Sequence, residues 1–182
     1  KCAWRIAKQI RLLMTDDDTP IGGLEIVELD ETYYGGKRKG KRGRGAEGKT
    51  PVFGAVERGG KIKTEIVKNV RQVTLMPLIE KFVVDNAVIC TDESNSYNKV
   101  KGLGHLHETV HHGKGQYVRG DVHTNTIEGF WSQFKRSVHG TYHAVSPKYL
   151  QTYLDEFSFR YNRRKSEEPL PVLVFELVGR TL

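Results

Sequence analysis

Three carboxylates stand at positions that suit metal-assisted phosphodiester chemistry. Asp30 ends one apolar run, Asp92 ends another, and Glu128 opens an amphipathic helical segment. Thirty-five residues separate Asp92 from Glu128. Two aspartates at strand ends, followed by a glutamate on a helix, indicate a site that binds two divalent ions for cutting and joining nucleic-acid strands.

The mutual repulsion of such acids is itself an argument for a cation. Side chains at strand ends meet at one edge of an α/β sheet, and two unit charges ~4 Å apart repel by roughly 4 kcal/mol at an effective dielectric constant of 20. Oxygen ligands suit Mg²⁺ or Mn²⁺. Taken singly, Asp30 and Asp92 also fit ordinary turn acids, so the metal site depends on the joint pattern.

Helical periodicity places Glu128 on a polar stripe beside the apolar face of a predicted helix. At ~100° per residue, the stripe also holds Ser132, Lys135 and His139. Lys135 lies two turns beyond Glu128, where it can contact a phosphate. In the alternative interpretation, Asn125 is the N-cap and Glu128 the acid of a capping box.

The histidines raise a second metal hypothesis. A zinc site could draw on Cys90, His105, His107, His111 and His112. These residues lack a paired Cys-x-x-Cys motif, which favours solvated or phosphate-facing histidines instead. His123 could contact a metal, a phosphate or the attacking water, or only a backbone group. Trp131 fits the core better than a base-stacking platform.

The charge of the chain favours a nucleic-acid partner. Lys and Arg number 29 against 22 Asp and Glu, a net charge of +7. Residues 35–50 carry seven basic residues and one acid. A glycine-spaced basic run buries little surface and predicts an exposed loop, whose charges would contact DNA or RNA phosphates. A merely solvated loop is the alternative.

Length and cysteine content bound the class of protein. The 182 residues fit one domain with a short appendage. Cys2 and Cys90 are far apart, which argues against a disulfide framework and predicts a reducing compartment, the cytoplasm or, in a eukaryote, the nucleus. No apolar run approaches ~20 residues and no signal peptide is visible. Because the first residue is Lys, we expect a fragment or a processed chain.

The pattern of hydrophobic residues predicts an α/β domain with a mixed sheet covered by helices. Strands are predicted over 24–30, 52–56, 62–67, 87–92 and 105–110. Helices are predicted over 1–15, 74–84, 126–143 and 147–163. Gly59–Gly60 forms the turn of a hairpin, Pro77 falls in a first helical turn, and residues 171–179 could form a docking helix.

Four longer strings carry a family resemblance. They are ELDETYYGGKRKG, TDESNSY, VHTNTIEGFWSQFKRSVHGTYHAVSPKYL and YLDEFSFRYNRR. Together they resemble the DDE transposase domain of a bacterial insertion-sequence group related to eukaryotic Merlin elements. The resemblance covers residues 22–165.

This resemblance implies a ribonuclease-H-like fold, shared with retroviral integrases, over residues 21–182. It implies that Asp30, Asp92 and Glu128 are the catalytic ligands of two Mg²⁺ or Mn²⁺ ions. Some members carry Asn at the third acidic position, so Asn125 is the alternative third ligand. Residues 1–20 would be the trailing helix and linker of an N-terminal DNA-binding region.

The implied activity is nicking of DNA at the element end and joining of that end to target DNA, by a dimer or higher assembly. The predicted DNA contacts are Lys37, Arg38, Lys39, Lys41, Arg42, Arg44, His123, Asn125, Lys135 and Arg136. Two alternatives stay open. One is a ribonuclease-H-like nuclease or resolvase without strand transfer, and the other is a transposase-derived DNA-binding protein without catalysis.

Overall fold

The computed structural model describes residues 2–15, 18–23, 25–35, 48–110, 122–168 and 179. Several predicted features lie outside these residues. They are the basic segment 37–44, His111, His112 and nearly all of the tail 171–179.

Five strands form one mixed sheet. They are β1 (Val27–Tyr34), β2 (Thr50–Glu57), β3 (Ile62–Ile66), β4 (Val88–Asp92) and β5 (Leu106–Val110). Their order across the sheet is β3-β2-β1-β4-β5. The first three strands form an antiparallel meander, while β4 pairs in parallel with both β1 and β5. This mixed sheet flanked by helices confirms the pattern-based prediction and is the ribonuclease-H-like arrangement that the family resemblance implies.

Four α-helices accompany the sheet in the described part of the chain. They are α1 (Cys2–Leu13), α2 (Gln72–Phe82), α3 (Asn125–Ser137) and α4 (Leu150–Asn162). The predicted helix over 126–143 finishes in a π-helical segment, Val138–Tyr142, and α4 is preceded by a 3-10 turn, Pro147–Tyr149. The predicted order of elements is confirmed.

Helices cover both faces of the central part of the sheet, because α2 packs on one face and α3 with α4 packs on the other. Val27 and Leu29 of β1 pack with Leu75 and Ile79 of α2 in one core cluster. The second cluster joins residues of β1, β2 and β3 to the two C-terminal helices: Tyr34, Val52, Val56, Ile62, Ile127, Phe134 and Leu154. Since side chains alternate along a strand, even-numbered residues of β1 face α3.

Strand β1 extends four residues past the predicted end, so the placement of Asp30 at a strand end is wrong. The four residues after it, ETYY, include β-branched and aromatic side chains that favour a strand. Tyr34 pairs with Thr50, and Gly35 follows the strand with φ 152°. Asp30 therefore lies in the middle of β1, directly opposite Gly54 of β2.

Helix α2 begins two residues before the predicted start at Thr74. The side chain of Asn69 organises this start, because its Oδ1 accepts hydrogen bonds from the Arg71 N–H at 3.0 Å and from Thr74 Oγ1 at 2.9 Å. The prediction that Pro77 falls in the first turn is therefore wrong, because Pro77 lies inside the helix. Its missing N–H removes the helical hydrogen bond to the carbonyl of Val73, a residue on the exposed side of the helix.

The outer edge of β3 is covered by two carboxamides of α4. Asn162 accepts from the Ile62 N–H at 2.7 Å and donates to the Ile62 carbonyl at 3.1 Å. Gln151 accepts from the Ile66 N–H at 2.9 Å and donates to the Thr64 carbonyl at 3.1 Å. These side chains take the place of a neighbouring strand, which protects an edge that could otherwise pair with another chain.

Helix α1 lies against α4 through polar and aromatic contacts. Arg11 Nε donates to Glu156 Oε2 at 2.7 Å, and both side chains are nearly buried. The Trp4 ring meets the Tyr149 ring edge-on at 5.5 Å between centroids. Among the described residues, none of the helices has the length and apolar character required to cross a membrane.

Candidate active site

Strands β1 and β4 bring Asp30 and Asp92 to the same level of the sheet. Their parallel register sets Val27 beside Ile89 and Glu28 beside Cys90. The same offset, continued by two residues, sets Asp30 level with Asp92. Asp92 is the last residue of β4, as predicted.

The carboxyl group of Asp30 is half-buried and has other acids near it. Burial, together with the charges of Glu31, Asp92 and Glu128, raises the pKa of Asp30 from its ordinary value of 3.8 to about 7. Desolvation and like charges both disfavour the ionised form. Asp92 and Glu128 therefore both lie within electrostatic reach of Asp30.

Glu31 stands on the opposite face of the sheet, as strand alternation predicts. Its carboxylate accepts a 2.6 Å hydrogen bond from the hydroxyl of Tyr97, which belongs to the core cluster on the α2 face. Burial and the charge of Glu31 raise the pKa of Tyr97 well above its ordinary value. Glu31 thus acts on Asp30 through the sheet and not as a fellow ligand.

Glu128 lies in the first turn of α3, with an exposed side chain. The N-cap of this helix is Thr124 and not Asn125, so the Asn125–Glu128 capping box is wrong. Thr124 is buried, and its Oγ1 donates to Glu128 Oε1 at 2.9 Å. This hydrogen bond holds the Glu128 side chain at the start of α3, where the predicted metal site needs it.

Asp92 combines its place in the acidic group with a local role. Its Oδ1 accepts a 2.9 Å hydrogen bond from the Ser94 N–H, in the loop that follows β4. Asp92 therefore also has the role of an ordinary turn acid, which is the alternative that the sequence leaves open. The bond fixes the carboxylate at the strand end.

Lys135 lies beside the acids, half-buried on α3. Burial lowers the pKa of its ammonium group, the negative charge of Asp30 opposes that shift, and Lys49 adds to it. Because Lys49 acts on the pKa of Lys135, Lys49 is a second lysine close to Asp30 and Lys135. Two cations next to a carboxylate group suit a phosphate that enters between them.

The donor set fits a divalent cation in its chemistry. Three carboxylates supply hard oxygen ligands. Burial, and after it the charges of neighbouring acids, raise the pKa of Asp30, and a cation would neutralise those charges. In the described part of the chain, however, no group of three or more His, Cys, Asp or Glu side chains is arranged to hold a metal ion.

Sequence reasoning missed Glu28, a fully buried carboxylate on the same face of β1 as Asp30. Glu28 Oε2 accepts from the backbone N–H groups of Thr126 and Ile127, at 2.8 and 3.1 Å. Glu28 Oε1 accepts from Thr126 Oγ1 at 2.9 Å and from Arg58 Nε at 2.7 Å. A carboxylate at a helix N-terminus satisfies unpaired N–H groups and the helix dipole.

His123 joins this network from the residue that leads into α3. Its Nδ1 lies 3.1 Å from Glu28 Oε1, within ion-pair distance but outside hydrogen-bond geometry. The carbonyl of His123 accepts from Arg58 Nη2 at 2.9 Å. The structure thus places His123 against a buried glutamate, and its predicted contact with DNA stays a prediction.

A second close contact seats α3 on the sheet. A Cβ atom at Gly54 would lie 2.6 Å from Trp131 Cζ2 and 3.2 Å from Ile127 Cδ1. Trp131 is 4% exposed, which confirms its assignment to the core. The missing side chain of Gly54 therefore lets α3 approach β2 at the level of Asp30.

The remaining predicted residues are more scattered. Asn125 and Arg136 are exposed on α3, and the basic residues between 37 and 44 lie outside the described residues. His107 Nε2 lies 2.9 Å from Thr91 Oγ1. Cys90 is a buried free thiol whose pKa is raised by burial.

Comparison with known proteins supplies relatives. A family model described as ISXO2-like transposase domain matches residues 21–162. The chain is 30% identical over 190 residues to an uncharacterized protein in transposable element ISH50 of Halobacterium salinarum, covering 93% of this chain and 63% of that protein. It is 25% identical over 113 residues to an uncharacterized transposase-like protein of Haemophilus influenzae, covering 62% of this chain and 90% of that protein. The chain thus spans less than two thirds of the Halobacterium protein.

Proposed function

Because the chain belongs to the ISXO2-like transposase domain family, we propose that it is the catalytic domain of a DNA transposase. The proposed reaction is metal-dependent cleavage at the ends of an insertion sequence, followed by transfer of the cut strand into target DNA. The observation that carries this proposal is the parallel register of β1 and β4, which sets Asp30 level with Asp92, with Glu128 in the first turn of the helix that packs on the same face. The relation to Merlin elements stays a prediction.

Asp30, Asp92 and Glu128 would hold two Mg²⁺ or Mn²⁺ ions. When bound, such ions supply an activated nucleophile and neutralise charge on the leaving oxygen. The protein itself contributes the positions of the ligand side chains. Thr124 orients Glu128 by a 2.9 Å hydrogen bond, and phosphoryl transfer depends chiefly on such alignment and charge neutralisation.

Lys135 would hold a DNA phosphate beside the acids. Its half-buried ammonium group lies within the influence of Asp30 and Lys49, so a phosphate there would face positive charge next to the reacting bond. Arg136, His123, Asn125 and the basic segment 37–44 complete the proposed DNA surface. We propose a dimer or higher assembly on DNA, because two element ends must be processed together.

The test is a cleavage and joining assay on DNA that carries the element ends, with Mg²⁺ or Mn²⁺. Asp30→Asn, Asp92→Asn and Glu128→Gln should each lower the rate by about a thousandfold. A metal ion contributes several kcal/mol to the transition state, and ~1.36 kcal/mol is tenfold in rate. Asp85→Asn, at an exposed turn acid, is the matched control and should keep the wild-type rate.

Each alternative predicts a different product. A nuclease or resolvase would release cut DNA without joined product, and a DNA-binding protein without catalysis would shift the DNA in a gel without cutting it. If a folded Glu128→Gln variant joins strands at the wild-type rate while Asn125→Ala does not, Asn125 takes the place of Glu128 as third ligand.

A further inference from the structure

We propose that Glu28 and Gly54 are positioning residues that set where α3, and with it Glu128, sits above Asp30. Their contacts are with the helix and not with reacting atoms. The inference rests on the proposed function, because the position of α3 matters for catalysis only if Glu128 is a metal ligand. Both residues flank Asp30, one along its own strand and one across the sheet.

Glu28 fixes the first turn of α3. It lies two residues before Asp30, so both side chains point to the same face of β1. Its carboxylate accepts the backbone N–H of Ile127 at 3.1 Å, and Glu128 is the next residue in the chain. The first turn of α3 therefore cannot slide along β1 without breaking hydrogen bonds to a buried charge, which are stronger than neutral ones.

Arg58 fixes the orientation of that carboxylate. Its Nε donates to Glu28 Oε1 at 2.7 Å, and its Nη2 donates to the His123 carbonyl at 2.9 Å. One guanidinium thus connects Glu28 to the residue that enters α3. Because the Glu28 side chain is completely buried, losing this partner would leave an uncompensated charge.

Gly54 fixes the separation between α3 and the sheet. It faces Asp30 directly across the β1–β2 pair, and any Cβ there would lie 2.6 Å from the Trp131 ring. The glycine contact falls one turn beyond the Glu28 contact along α3. Two contacts one turn apart determine both the height and the rotation of the helix, and hence the direction of Glu128.

The experiment compares two positioning variants with two matched controls, all in the full chain. Glu28→Gln keeps the shape of the side chain but turns one acceptor into a donor that faces donors. Gly54→Ala adds the methyl group that meets Trp131. Glu156→Gln alters a second nearly buried Arg–Glu pair, with Arg11 at 2.7 Å, and Gly129→Ala adds a methyl group on α3 with nothing within 4 Å.

Two measurements separate positioning from folding. Titration calorimetry with Mn²⁺ alone should show about tenfold weaker binding for Glu28→Gln and Gly54→Ala, since residues that orient metal ligands typically contribute 10–100-fold. The kcat for end cleavage should fall by about tenfold to a hundredfold, while KM for DNA stays within about twofold. Both control variants should match the wild type in each measurement.

Wild-type Mn²⁺ affinity and kcat in the folded positioning variants would overturn the inference. Equal losses in the control variants would also overturn it, because the losses would then come from lower stability and not from a change in the position of α3. If one positioning variant fails to fold, the other decides. A wild-type chain without metal-dependent cleavage contradicts the proposed function instead, and the Mn²⁺ titration still tests the positioning.

Discussion

The hydroxyl of Tyr97 donates a 2.6 Å hydrogen bond to the carboxylate of Glu31, on the face of the sheet opposite Asp30. Of the three neighbouring acids that raise the pKa of Asp30, Glu31 contributes most. The charge of Glu31, on the α2 face of the sheet, therefore raises the pKa of Asp30 on the α3 face. This link between the core and the candidate site follows from strand alternation and from the neighbouring positions of the two acids.

Tyr97→Phe should lower the free energy of unfolding by about 1.5–3 kcal/mol, the usual contribution of a hydrogen bond to a charged group. The ring stays in place, so the loss belongs to the hydroxyl and to the buried carboxylate it leaves behind. Urea denaturation measures the change. Tyr149→Phe keeps its ring contact with Trp4 and should stay within about 0.5 kcal/mol of wild type; equal effects of both substitutions would contradict the prediction.

The metal-free protein should become less stable as pH rises from about 4 to 7. Asp30 has an ordinary pKa of 3.8 and a folded-state pKa of about 7, so the unfolded chain loses this proton first. The stabilising contribution is fully present below pH 4 and is lost as pH rises through 7. Its upper limit is about 4 kcal/mol, at ~1.36 kcal/mol for each pKa unit.

Asp30→Asn isolates this contribution from other titrating groups. Urea denaturation of both proteins in EDTA, across pH 4 to 8, should show the variant gaining stability relative to the wild type as pH rises. The difference should level off above pH 7. A constant difference across the range would mean that Asp30 ionises normally in the folded protein.

Asn162→Ala should destabilise the protein and expose the edge of β3. The substitution removes both hydrogen bonds to Ile62, at about 0.5–1.5 kcal/mol each. An uncovered strand edge also favours pairing between chains, so light scattering should rise at high protein concentration. Gln133→Ala, at an exposed carboxamide on α3, should change neither the free energy of unfolding nor the scattering.

Neutralising the basic segment should weaken the salt dependence of DNA binding. Each phosphate contact contributes about 0.9 to the slope of log K against log salt concentration, so replacing six cations with Gln should reduce the slope by up to about 5. The residues are Lys37, Arg38, Lys39, Lys41, Arg42 and Arg44. An unchanged slope, measured by fluorescence anisotropy, would exclude the segment from the DNA interface.

The sequence predicts the order of elements well because local periodicity determines it. The placement of Asp92 at the end of β4 follows from a short apolar run. The placement of Asp30 fails because the residues after it are polar in part yet favour a strand, and β2 pairs with them through Thr50. Local pattern sets the type of an element, whereas its end depends on the partner strand.

The part of the site that the sequence does not reveal depends on contacts between distant residues. Glu28 has other acids near it in the chain, at Glu25, Asp30 and Glu31, and Glu31 is buried as well, so the acidic pattern alone does not show which of them contacts α3. Its partners Arg58 and Thr126 are 30 and 98 residues away. A glutamate between two buried apolar residues, Val27 and Leu29, is the one signal that could have pointed to it.

The 98-residue separation between Glu28 and Thr126 also determines when the proposed activity would arise. Domains emerge from the ribosome N-terminus first, and distant contacts form late because their loops are costly to close. A growing chain that has not reached α3 already contains Asp30 and Asp92 but lacks the third acid and the seat for it. We therefore expect a newly made chain to leave the DNA around it uncut until synthesis has passed α3 and the helix has docked.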